Sequence, residues 1–137
     1  MKLSVLIPAR EEEFLQKTIE DVFKYSELGD DMEVLVGLDG WHTELQERPN
    51  LRIWETDKPQ GQRATQNFLA RQSEAKYVMK LDAHCSVSQG FDQIMIEIME
   101  ANPDIVLVPA LGNLHAYDWL CSKCGRREYQ GKKPADC

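Results

Sequence analysis

No apolar run in the 137-residue chain approaches the roughly 20 residues needed to cross a bilayer. The first residues hold one lysine and a short apolar stretch, and Glu11, Glu12 and Glu13 follow at once. A secretory leader would have a longer apolar core and a small-residue cleavage site, so the expected location is cytoplasmic. Basic residues are in deficit, 16 against 23 acidic, for a net charge of −7. Phosphate neutralisation needs lysine and arginine in excess, which argues against a nucleic-acid partner. No G-x-G-x-x-G follows the first apolar segment, and neither G-x-x-x-x-G-K-[ST] nor G-x-S-x-G occurs. Dinucleotide binding, P-loop chemistry and a serine-hydrolase elbow lose their support. With only four cysteines and no leader, a disulfide framework is not expected.

What is present is the balance of a folded protein, 42% apolar and 28% charged. Short apolar segments rich in Val, Ile and Leu alternate with amphipathic ones. Strands are expected over Leu3 to Pro8, Glu33 to Leu38, Leu51 to Glu55, Tyr77 to Leu81 and Ile105 to Val108. A helix is expected from about Glu11 to Tyr25, with Phe14, Leu15, Ile19, Val22 and Phe23 on one face and the glutamates at its positive end. Further helices are expected over Gln62 to Gln72, with Ala64, Phe68 and Leu69 inward, and over Phe91 to Met99. This alternation predicts an α/β fold, a mostly parallel sheet covered on both faces.

Ligands of such sheets bind outside the carboxyl ends of the strands. That rule brings residues 8–12, 39–42 and 82–86 to one rim. In an extended segment side chains two residues apart point the same way, so Asp82 and His84 can address one divalent cation such as Mn²⁺ or Mg²⁺, with phosphate oxygens and water completing the shell. Asp39 can accept hydrogen bonds from a nucleobase or a ribose. Arg63, early in a helix after a glycine-containing loop, can meet a phosphate. Trp41 and His42 either pack on a ligand or shield the core. Each residue also has an ordinary reading: Asp82 capping a turn, His84 on the surface, Asp39 in an Asp-Gly turn, Arg63 solvated.

Four segments in order resemble family 2-type glycosyltransferases with the GT-A fold. Leu3-Ser4-Val5-Leu6-Ile7-Pro8-Ala9-Arg10-Glu11-Glu12-Glu13-Phe14-Leu15 is similar to the family's "SVIIPxxNEExxL" opening, with Glu11 in place of Asn. Val34-Leu35-Val36-Gly37-Leu38-Asp39-Gly40 resembles "EIIVVDDGS", with Leu38 in place of the first aspartate. Gly61-Gln62-Arg63-Ala64-Thr65-Gln66-Asn67 is similar to "GxxxARNxG". Lys80-Leu81-Asp82-Ala83-His84-Cys85 resembles the D-x-D motif in the D-x-H form typical of polypeptide N-acetylgalactosaminyltransferases, with Ser86 where those have Glu.

The resemblance implies a UDP-sugar donor and a divalent metal, with the acceptor unidentified. It implies that Pro8, Ala9, Arg10, Glu12, Asp39, Arg63 and Asp82 bind the donor, Arg63 at the base or diphosphate and Asp82 at the ribose or the metal, and that His84 ligates the metal. It assigns no catalytic base. A nucleotidyltransferase on a similar sheet would open with a glycine-rich "GGxGxR" loop, and Pro8-Ala9-Arg10-Glu11 is not one.

The match covers roughly residues 1–110. The expected division is a GT-A-like nucleotide-sugar-binding domain over 1–118 and a zinc-ribbon-like knuckle over 119–137. The charge changes sign near this point: residues 1–120 carry 11 basic and 21 acidic groups (net −10), residues 121–137 carry 5 and 2 (net +3). Cys121-Ser122-Lys123-Cys124-Gly125 reads as the first knuckle of a Zn²⁺ site, with Cys137 as a third ligand. His115 or a ligand from a partner chain would be the fourth. The ordinary reading is three unligated thiols. The alternative for the whole chain is a nucleotide-binding or partner-binding module without turnover.

Overall fold

The computed structural model describes residues 1–112 and 118–129. Contacts divide the chain into two compact units, residues 1–107 and 108–137.

The first unit is a four-stranded parallel sheet in the order β3-β2-β1-β4. Its strands are β1 (Leu3–Ala9), β2 (Met32–Asp39), β3 (Leu51–Thr56) and β4 (Tyr77–Lys80). Helix α1 (Leu15–Tyr25) joins β1 to β2, α2 (Gln62–Gln72) joins β3 to β4, and α3 (Phe91–Ala101) follows β4. β1 and β2 are buried along their whole length, as centre strands of a parallel sheet must be. Their side chains alternate between two cores. Leu3, Val5, Ile7 and Ala9, with Met32, Val34, Val36 and Leu38, pack with α1 and α3 on one face. Leu6 and Leu35 meet Leu69 of α2 on the other.

This arrangement follows from strand order and handedness. The chain moves from β1 through β2 to β3 in one direction, then crosses back to β4 on the far side of β1. Right-handed crossovers in opposite directions put their helices on opposite faces, which is where α1 and α2 lie. The β2–β3 connection, residues 40–50, has no helix; Trp41 and Leu45 from it pack on the α1 face. Loops from α1 to α3 are tied by Asp92, fully buried, whose carboxylate accepts from the Ser26 hydroxyl and the backbone N–H groups of Glu27 and Leu28.

Three expectations need correction. The segment Ile105 to Val108 is not a strand. Its residues have the right propensity, but a strand exists through a ladder partner. Here Val106 is 91% exposed and no described residue pairs with it. Helix α1 begins at Leu15 rather than near Glu11, and its first turn holds no acidic residue. Finally, α2 turns Thr65 and Leu69 inward, leaving Ala64 and Phe68 exposed. Gly37 is the reason: a Cβ there would stand 2.4 Å from the Thr65 methyl. The missing side chain is the hollow into which α2 settles, and Phe68 instead meets the edge of Trp54.

The second unit shows a two-stranded antiparallel hairpin, β5 (Asp118–Leu120) and β6 (Arg127–Tyr129). Its turn is closed by the Cys121 N–H donating to the Arg126 carbonyl at 2.9 Å and the Gly125 N–H donating to the Cys121 carbonyl at 3.0 Å. Gly125 takes φ +72°, a conformation that favours glycine. Cys137 and His115 lie outside the described residues.

The close approach of α2 generates a test. Gly37→Ala should destabilise the protein by roughly 1–3 kcal/mol through overpacking, read as a lower urea midpoint at unchanged slope.

Candidate functional site

Strand order reverses at β1, since β2 lies on one side and β4, reached last, on the other. In an open parallel sheet such a switch point parts the following loops and leaves a crevice at the carboxyl ends. A cleft of about 370 Å³ lies there, lined by Pro8, Ala9, Arg10, Glu12, Asp39, Gly61, Gln62, Asp82, Ala83 and His84. Loops far apart in sequence therefore meet at one mouth, and six of the seven residues expected for donor binding line it. Arg63 is the seventh; it stands exposed on the first turn of α2, outside the lining. Gln62 lines the cleft in its stead, a residue that the Gly61-Gln62-Arg63 segment contained but did not single out.

Asp82 and His84 both line the cleft, but an extended segment is not what orients them. The chain turns at Ala83 and His84, with Ala83 1% exposed beneath. This turn is fastened from α1. The buried Thr18 hydroxyl donates to the Ala83 carbonyl at 2.9 Å and accepts the Cys85 N–H at 3.1 Å. Burial of Ala83 sends its two neighbours outward together. Asp82 Oδ1 accepts from Lys80 Nζ at 2.8 Å and from Gln62 Nε2 at 3.2 Å. His84 Nδ1 lies 3.3 Å from both carboxylate oxygens of Glu12.

Asp39 is 5% exposed, and its oxygens accept the backbone N–H groups of Gln60 at 2.6 Å and Gly61 at 2.9 Å. The carboxylate thus fixes the loop that starts α2. Cys85 packs against the core. Burial first, then the nearby Asp82 charge, push its thiol above the ordinary range, so it stays protonated at neutral pH. Trp41 shields the core, while His42 is exposed and holds Glu55 at 2.8 Å, which raises the imidazole pKa.

The loop from β1 carries a backbone constraint. Glu11 has φ +52°, the left-handed region that β-carbons resist and asparagine tolerates better. The bend ends β1 before α1 can start, and it accounts for the shortened helix.

The model of glycosyl transferase family 2 matches residues 4–114, most of the chain. The chain belongs to that family. Its sheet and flanking helices are the GT-A arrangement. Similar solved structures include TarS 1–349 of S. aureus in complex with UDP, at 16% identity and TM-score 0.63, covering 75% of this chain and 33% of that one. The complex of TarS 1–349 with UDP-GlcNAc also has 16% identity and TM-score 0.63, covering 75% and 32%. Full TarS gives 16% and 0.62, covering 88% and 21%. The family 2 chain thus spans about a third or less of these neighbours' length. No curated protein matches it. Among the described residues no helix is long and apolar enough to cross a membrane.

The left-handed bend generates a test. Glu11→Asn should stabilise the protein and Glu11→Val destabilise it, each by on the order of 1 kcal/mol, read as a higher and a lower thermal midpoint.

Proposed function

We propose that this family 2 chain is the donor-binding part of a metal-dependent glycosyltransferase that takes a UDP-sugar. The observation that carries the reading is the convergence of Asp82, His84 and Glu12 with Arg10 in one cleft at the switch point. The structural neighbours add support, since TarS is described with UDP and with UDP-GlcNAc.

The donor set fits a catalytic cation. Among the described residues no three His, Cys, Asp or Glu side chains form a closed metal cluster. One carboxylate and one imidazole on an open cleft would leave positions for diphosphate oxygens and water, as Mn²⁺ and Mg²⁺ sites on nucleotide substrates require. A bound divalent ion would neutralise charge developing on the departing nucleoside diphosphate. In this reading Asp82 and His84 hold the ion. Pro8, Ala9, Arg10, Glu12 and Asp39 form the nucleoside side, with Asp39 keeping the Gln60–Gly61 loop in place. From the first turn of α2 it is Gln62, beside Asp82, that faces the diphosphate side in this reading.

The hairpin turn at Cys121 and Cys124 supports a second metal role, a zinc knuckle formed with Cys137. Elemental analysis should find zinc bound to the purified protein, and Cys124→Ser should release it. A protein free of zinc after expression in zinc-supplemented medium refutes the knuckle.

For the cleft, UDP with Mn²⁺ at about 100 times Kd should stabilise the protein by about 2.7 kcal/mol, a rise in Tm of roughly 5–10 °C. Asp82→Ala should abolish the rise. An unchanged melting curve at saturating UDP and Mn²⁺ counts against the reading. Donor hydrolysis or transfer by the same chain separates an enzyme from a nucleotide-binding module without turnover.

A further inference from the structure

We propose that Glu12 is a positioning residue that acts through His84. Its carboxylate accepts the Nδ1–H of the imidazole and so leaves Nε2 as the ring's lone-pair nitrogen. The proposal rests on the reading of His84 as a metal ligand and assigns Glu12 a role distinct from donor contact.

Several observations converge on this pair. His84 Nδ1 is equidistant, at 3.3 Å, from both Glu12 oxygens, so a proton carried on Nδ1 would face the carboxylate as a whole. Among the described residues this is the Glu12 side chain's sole polar contact. The two residues come from opposite sides of the switch point, Glu12 after β1 and His84 after β4, and both line the cleft. Glu12 is delivered there by the left-handed bend at Glu11, a conformation costing on the order of 1–2 kcal/mol. Backbone strain of this kind tends to persist where it positions a functional group.

The division of labour at His84 is physically sensible. Thr18 fixes the backbone on both sides of it, through Ala83 and Cys85, but does not touch the ring. An exposed imidazole left otherwise unheld samples both tautomers and several rotamers. A carboxylate on Nδ1 selects one tautomer, restricts ring rotation and raises the basicity of the opposite nitrogen. Metal-binding histidines typically carry such a partner, and its removal weakens metal affinity by about 10- to 100-fold.

Two measurements test the assignment. Long-range ¹H–¹⁵N correlation spectra above the imidazole pKa report the tautomer without any metal, and the chain has only three histidines to assign. His84 should carry its proton on Nδ1, and Glu12→Ala should move it toward Nε2. Mn²⁺ binding in the presence of UDP, followed by the electron paramagnetic resonance of free Mn²⁺, reports the consequence. Glu12→Ala should bind Mn²⁺ about 10- to 100-fold more weakly. Glu12→Gln, whose amide oxygen still accepts from Nδ1–H, should stay within about threefold of wild type.

An Nε2-protonated His84 in the wild type overturns the proposal. So does wild-type affinity in Glu12→Ala, or a loss in Glu12→Gln equal to that in Glu12→Ala, which would make Glu12 a direct ligand. These failures leave the metal reading standing. Absence of Mn²⁺ binding by the wild type, or unchanged binding in His84→Ala, overturns that reading and the proposal with it.

Discussion

The reversal of strand order at β1 is the constraint on which the rest of the site depends. A parallel strand with neighbours reached by crossovers in opposite directions sends one helix to each face. Its own following loop is then left unopposed at the carboxyl end. In this protein that loop carries Pro8 to Glu12, and the loop after β4 carries Asp82 to His84. The alternating burial of β1 and β2, which feeds two cores, holds the reversal in place. Glycine at position 37 lets α2 approach closely enough to bring Gly61 and Gln62 to the same mouth.

Buried polar side chains hold the mouth open in a fixed shape. A loop cannot satisfy its own backbone groups as a ladder does, and an unpaired buried donor costs about 1–3 kcal/mol. Thr18 supplies both a donor and an acceptor to the turn at Ala83, and Asp39 supplies two acceptors to the loop at Gln60. Asp92 does the same for the loop after α1. All three are buried, each 5% exposed or less. They are the means by which sheet rigidity passes to irregular backbone.

Much of this was legible in the sequence because strand-forming runs and helical periodicity are local signals. Leu3, Val5 and Ile7 announce β1, and Ile19 and Val22 place the inner face of α1. The rim residues could be gathered by the carboxyl-end rule alone. What was not legible depended on partners. Ile105 to Val108 has strand composition and no ladder to join. Ala64 and Phe68 look like the inner face of α2 until Gly37 makes room for Thr65 one position on. Glu11 to Glu13 read as a helix start, because the left-handed turn at Glu11 has no signature in a run of glutamates. Arg63 and Gln62 are neighbours, and only the rotation of α2 decides which of them lines the cleft.

The same contacts divide the cleft into a wall that resists change and one that gives way cheaply. Asp39 is buried, and its oxygens are held by two backbone N–H groups of the loop, so breaking these bonds would leave a buried carboxylate unsatisfied at its full desolvation penalty. Asp82 differs on each count. Its side chain is 41% exposed, and its partners, Lys80 and Gln62, are mobile side chains that water can replace. An ion pair at that exposure is worth about 0–1 kcal/mol. A ligand entering this cleft therefore meets preformed geometry on the Asp39 side and exchangeable partners on the Asp82 side. That asymmetry is what binding a charged group with little reorganisation requires, because the backbone is already ordered and only weak side-chain pairs must be exchanged.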